Sequence, residues 1–145
     1  MDSASFLLAA LLVTAHPAPP SSPSPVCIHA SAAPAMTIAG LRGDYRVVGS
    51  NNDRPYSGQL VLSGAEDSDS LRIAGEVDGS IRQGTALYVY CGPDRVRQLK
   101  IELTSGQVLY CVPHNDYDNF NRLSCSASLS DPNGDHELWV QQHRP

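Results

Sequence analysis

The chain has 145 residues, of which 41% are hydrophobic and only 17% charged, with 11 Gly and 11 Pro. That length suits one domain with a short appendage, and low charge with many turn residues points to a β protein, away from a helical bundle. A formal net charge of −5 excludes a nucleic-acid or anionic-membrane footprint, and no segment reaches the ~18 apolar residues that span a bilayer.

Residues 1–35 contain no Lys or Arg and a single acid, Asp2, so the charged surface belongs to residues 36–145. Phe6–Ala15 is a ten-residue run, apolar but for Thr14, the length of a secretory h-region. Residues 1–15 are therefore predicted to be a signal peptide, with cleavage after Val13-Thr14-Ala15. Ala33-Pro34-Ala35 is a second candidate, extending the signal to residue 35. The n-region Met1–Ser5 lacks the basic residue such a signal normally carries. His16–Pro25 has five prolines in ten residues, which fits an extended polyproline-type tether. The N-terminal leader is expected to be disordered, residues 16–40 to be a Pro/Ala-rich linker, and residues 41–145 to form the folded antiparallel β domain.

Within that domain, period-two alternation recurs. Gly43–Gly49 places Tyr45 and Val47 on one face, and Tyr56–Leu62 does so with Leu60 and Leu62. Leu71–Val77 alternates cleanly, and Asp78-Gly79 is a tight-hairpin signal. The segment Ile81–Cys91 continues, with Gly84 predicted to mark a bulge or bend. Leu99, Ile101 and Leu103 oppose Gln98, Lys100 and Glu102, and Ser105-Gly106 turns the chain into Gln107–Val112. After a polar loop over 113–121 come Arg122–Leu129, the Asp131–Gly134 turn and His136–Gln142.

Eight short strands, joined in sequence and apolar on one face, most economically close on themselves and so remove exposed edges. The prediction is an all-β fold, a single antiparallel up-and-down β-barrel of about eight strands. A two-sheet β-sandwich is the alternative.

Gly43-Asp-Tyr45-Arg-Val47-Val-Gly49-Ser-Asn51, followed by Tyr56-Ser-Gly58-Gln-Leu60-Val-Leu62, resembles the G-x-Y-x-V-x-G-x-N…Y-x-G-x-L-x-L pattern of small secreted bacterial proteins of unknown function. The resemblance implies a calycin-like barrel and supplies no catalytic residue. Where lipocalins carry a Trp after their first glycine, this chain has Tyr45.

Cys111 and Cys125 lie equidistant from Asp118, so a symmetric hairpin would bring their Cβ atoms to about 4.5–5.5 Å. A bridge there would close a loop of about 15 residues, worth roughly 3 kcal/mol in the chain-entropy model. Cys91 with Cys111 is the alternative pairing. The remaining cysteine either pairs with Cys27, if processing spares it, or stays a buried thiol. No C-x-x-C or C-x-x-H spacing occurs, so no metal site is predicted, and no cofactor is implied.

No Gly-x-Ser-x-Gly turn is present, and His114 on a strand exit is not spaced to activate Cys111. Asp131, Asn133 and Asp135 hold a calcium-like spacing, but His136 and Gln142 replace the glycine and glutamate such a loop needs. The 113–121 loop is the strongest local candidate. Tyr117 and Phe120 stand there beside His114, Asp116, Asp118 and Arg122, the mix of aromatics and adaptable polar groups that recognition surfaces use. Trp139, set between Leu138 and Val140, reads as packing.

The expectation is a secreted or periplasmic, monomeric, non-enzymatic β-barrel that binds an unknown protein or small ligand. It has no membrane segment once the signal is removed. The alternative is a secreted hydrolase inhibitor, lysozyme-inhibitor-like, acting through the 113–121 loop.

Overall fold

The structure, a computed structural model, describes residues 26–29, 38–94, 96–115, 120–129 and 136–143. Nine strands are formed there: β1 (Cys27–His29), β2 (Gly43–Asn51), β3 (Arg54–Ser63), β4 (Ser70–Val77), β5 (Ser80–Cys91), β6 (Val96–Leu103), β7 (Val108–Asn115), β8 (Asn121–Ser126) and β9 (His136–His143). Each of β2 to β9 pairs antiparallel with the next, and β9 pairs back onto β2. The eight strands thus form a closed up-and-down barrel. The sandwich alternative is excluded by this closure, because every strand of the eight has a hydrogen-bonded neighbour on both sides.

Local sequence accounts for the meander. Asn52 and Asp53 both take positive φ (48° and 62°), as do Asp78 and Gly79 (52° and 73°). Two successive left-handed residues make the tight turn whose twist matches antiparallel strands. Asn51 therefore pairs with Arg54, and Val77 with Ser80. Most inward positions are apolar, and together these form one core that includes Tyr45, Leu60, Ile73, Tyr88, Leu99, Leu123 and Trp139.

Three details differ from the sequence reading. Gly84 does not interrupt β5, which runs continuously over 12 residues. A Cβ there would collide with the Glu102 carbonyl oxygen, so the glycine permits close packing against β6. Second, the loop after β7 is shorter than expected, since β7 continues to Asn115. The 4.0 Å Cα separation of Cys111 and Cys125 marks them as a non-hydrogen-bonded pair. Pro113 shares that phase, so its nitrogen points away from β8, to the side where β6 pairing has ended at Leu99–Cys111. Its missing N–H therefore costs no ladder bond. Third, Cys27–His29, within the segment expected to be tether, forms β1. Strand β4 leaves β5 at the Ser70–Leu87 pair, and β1 takes the vacated edge at Val89–Cys91.

Both cysteine pairs are bridged: Cys111–Cys125 and Cys27–Cys91. The first is the pairing predicted from hairpin symmetry. The alternative, Cys91 with Cys111, is excluded because Cys91 faces outward and Cys111 inward, on opposite surfaces of the wall. Disulfides belong to oxidising compartments. Among the described residues no helix is long and apolar enough to cross a membrane.

Candidate functional site

The barrel has two unlike ends. One carries the β2–β3, β4–β5, β6–β7 and β8–β9 connections; the other carries β3–β4, β5–β6 and β7–β8 together with the chain's entry into β2. The entry end is plugged. Ile38 and Leu41 are buried in the core at 1% and 3% exposure, and the Leu41 carbonyl accepts from the Tyr45 hydroxyl at 2.8 Å. Asn121 Nδ2 donates to the Gly40 carbonyl (2.9 Å) and to Gln141 Oε1 (3.0 Å), while Gln141 Nε2 donates to the Arg42 carbonyl (2.7 Å). Burying two amides is tolerable because each finds partners.

The predicted recognition loop emerges at this plugged end. His114 is exposed and pairs across the hairpin with Arg122, which is half-buried, as is Phe120. Asp116, Tyr117 and Asp118 lie outside the described residues, as do Asp131, Asn133 and Asp135. Asn121, at the loop's end, turns into the barrel and holds the plug. Of the loop's candidates, His114, Phe120 and Arg122 are thus brought to one stem.

At the opposite end lies a polar cluster that the sequence reading missed. Glu137 on β9 is 7% exposed. Its Oε1 accepts from the Tyr56 hydroxyl (2.8 Å) and Arg82 Nη2 (2.9 Å). Its Oε2 accepts from Arg82 Nη1 (2.7 Å) and from Trp139 Nε1 (2.8 Å). Strands β5 and β9 stand four strands apart whichever way the ring is followed, so the Arg82–Glu137 pair crosses the lumen. Tyr56 and Glu137 are both cross-strand partners of Gly49, and the Tyr56 ring lies over that glycine to reach the carboxylate. A Cβ on Gly49 would come within 2.6 Å of the ring.

Burial alone would raise the Glu137 pKa, but the hydrogen bond from Arg82 leads a set of opposing effects, with Trp139, the Arg82 charge and Tyr56, that holds it below the usual carboxylate value. Four donors satisfy the four acceptor positions of a carboxylate. The group is therefore a fixed anion that braces the barrel, with no acceptor left to take a proton from a substrate. A signal for it exists in the sequence: Glu137 has the same parity as Trp139 and Gln141, so it points inward with them.

Trp139 itself is fully buried, in agreement with its reading as packing. Tyr88 lies in the core with the Arg97 guanidinium 5.1 Å from its ring centroid. Burial raises the Tyr88 pKa, partly offset by the Arg97 charge. Among the described residues no group of three or more His, Cys, Asp or Glu is placed to hold a metal ion.

No protein-family model matches the chain, and comparison with curated proteins and with solved structures finds no match to either.

Proposed function

We propose that this chain is a non-catalytic binding module of the secreted or periplasmic space that meets its partner on the outside of the barrel. The observation that carries the reading is the filled lumen. Trp139 and the Arg82–Glu137 pair occupy the space in which other eight-stranded barrels hold a small ligand, so recognition falls to loops and outer strands. The two bridges favour an oxidising compartment. Glu137, whose oxygens are all engaged within the chain, serves this reading as a structural brace.

The 113–121 region is the preferred contact. Its stem is stapled by Cys111–Cys125, which limits the ordering cost of binding through the loop. That staple also favours the second reading, an inhibitor that presents the loop to the cleft of a hydrolase such as lysozyme. Immobilised protein and a form lacking Asn115–Asn119 should be compared for what each retains from extracellular fluid. The full chain is expected to retain a partner that the deleted form loses; equal retention by both would sink the assignment to this loop. Inhibition of a captured hydrolase would select the second reading.

A further inference from the structure

We propose that the Cys27–Cys91 bridge is a redox-operated clasp: a dithiol reductant opens it selectively and frees β1 from the edge of β5, while the barrel and its Cys111–Cys125 bridge stay closed.

The two bridges sit in opposite environments. Cys111 and Cys125 point into the lumen at 0% and 1% exposure, as members of the hydrophobic core. A thiolate reaches their sulfurs only if strands β7 and β8 leave the barrel. Cys91 alternates with the inward Ala86, Tyr88 and Tyr90, so it lies on the outer surface, and neither Cys91 nor Cys27 belongs to the core cluster. Cys91 is itself covered, at 4% exposure, whereas Cys27 is only half-buried. Exchange requires attack of a thiolate on one sulfur and depends on access to it. The outer bridge is therefore the more approachable of the two in the folded state, from the Cys27 side.

Among the described residues, the strand held by that bridge has little else to hold it. It spans three residues, pairs there only with β5, and is extended by one backbone bond from Gly92 to the Val26 carbonyl at 3.3 Å. Its apolar side chains contribute little burial, since Val26 is 80% and Ile28 58% exposed. The net gain from a few backbone hydrogen bonds is no larger than the cost of ordering the same residues. Without the covalent link, β1 detaches.

The chemistry balances. One thiolate of the dithiol attacks Cys27 Sγ and expels Cys91 as a thiolate. The second thiol of the reductant then displaces Cys27, which becomes a thiol, and the reductant leaves as its own cyclic disulfide. The product is an intact barrel whose β5 edge at Val89–Cys91 has lost its neighbour. An unpaired edge of this kind is a template for an added strand.

The test is a time course of dithiothreitol reduction of the full chain, quenched by alkylation and mapped by mass spectrometry. Trp139 fluorescence and amide exchange are followed in parallel. Cys27 and Cys91 should be alkylated at least about ten-fold sooner than Cys111 and Cys125. Over that interval the fluorescence should hold, and exchange should rise only over Cys27–His29 and Val89–Cys91. Labelling of all four cysteines together, loss of the tryptophan signal with the first pair, or unchanged exchange at Val89–Cys91 would each overturn the proposal. A Cys27→Ser, Cys91→Ser double variant supplies the static form. It should keep the barrel's fluorescence with β1 exchanging freely, and failure of that variant to fold would equally refute the clasp.

Discussion

Glu137 joins three strands of the barrel through its carboxylate. It is held by four donor atoms on three residues: the Tyr56 hydroxyl, both terminal nitrogens of Arg82, and the Trp139 indole. Removing one member of a buried pair strands the other, at a cost of about 3–5 kcal/mol. Glu137→Ala should therefore lower the unfolding free energy by about that amount in urea titration. Arg82→Met with Glu137→Ala should cost less than the sum of the single changes, because partners in one network couple. The pH dependence comes from the lowered pKa. A carboxylate with a depressed folded pKa stabilises the fold above its unfolded pKa and loses that contribution as pH falls through the folded value. The wild-type midpoint should thus fall on acidification below the ordinary carboxylate range more steeply than that of Glu137→Ala. Equal acid sensitivity would show that Glu137 is not the group responsible.

Among elements, the hairpins set the register and the bridges fix the stems. The β4–β5 turn depends on Gly79 at φ 73°, where a β-branched residue is strained by roughly 1–2 kcal/mol. Gly79→Val should lower stability by about that much and leave the β2–β3 hairpin intact, as read by amide exchange. This turn was legible from Asp78-Gly79 because turn chemistry is local. So was the Cys111–Cys125 bridge, because a hairpin with two cysteines equidistant from its centre brings them face to face. The second bridge was not decided by spacing. Its partners are separated by 64 residues, and β1 reaches β5 only because β4 stops at Ser70–Leu87. That stagger is a consequence of barrel geometry, which no single strand contains.

For the whole molecule, closure determines what the chain can present. With the lumen filled and one end plugged by Ile38 and Leu41, the outer strands and connecting loops are the surfaces that the proposed recognition would use. The place of β1 bears on processing as well. Cleavage after Ala15 keeps Cys27, whereas cleavage after Ala35 would remove β1 and leave Cys91 without its partner. On the export proposed above, the mature protein is expected to retain Cys27 linked to Cys91, and intact mass with non-reducing peptide mapping would show it. A mature chain beginning at Met36 would contradict this. Alternation in the sequence determined the strands, their inward faces and an all-β barrel, because a two-residue period is written into neighbouring side chains. Turn residues likewise determined the hairpins, and hairpin symmetry pointed to one bridge. Only the tertiary structure decided that Tyr56, Arg82 and Glu137 meet, that Asn121 and Gln141 hold a plug, and that Cys27 belongs with Cys91. Those contacts join residues brought together by closure and stagger of the sheet, and neither is encoded in any local pattern.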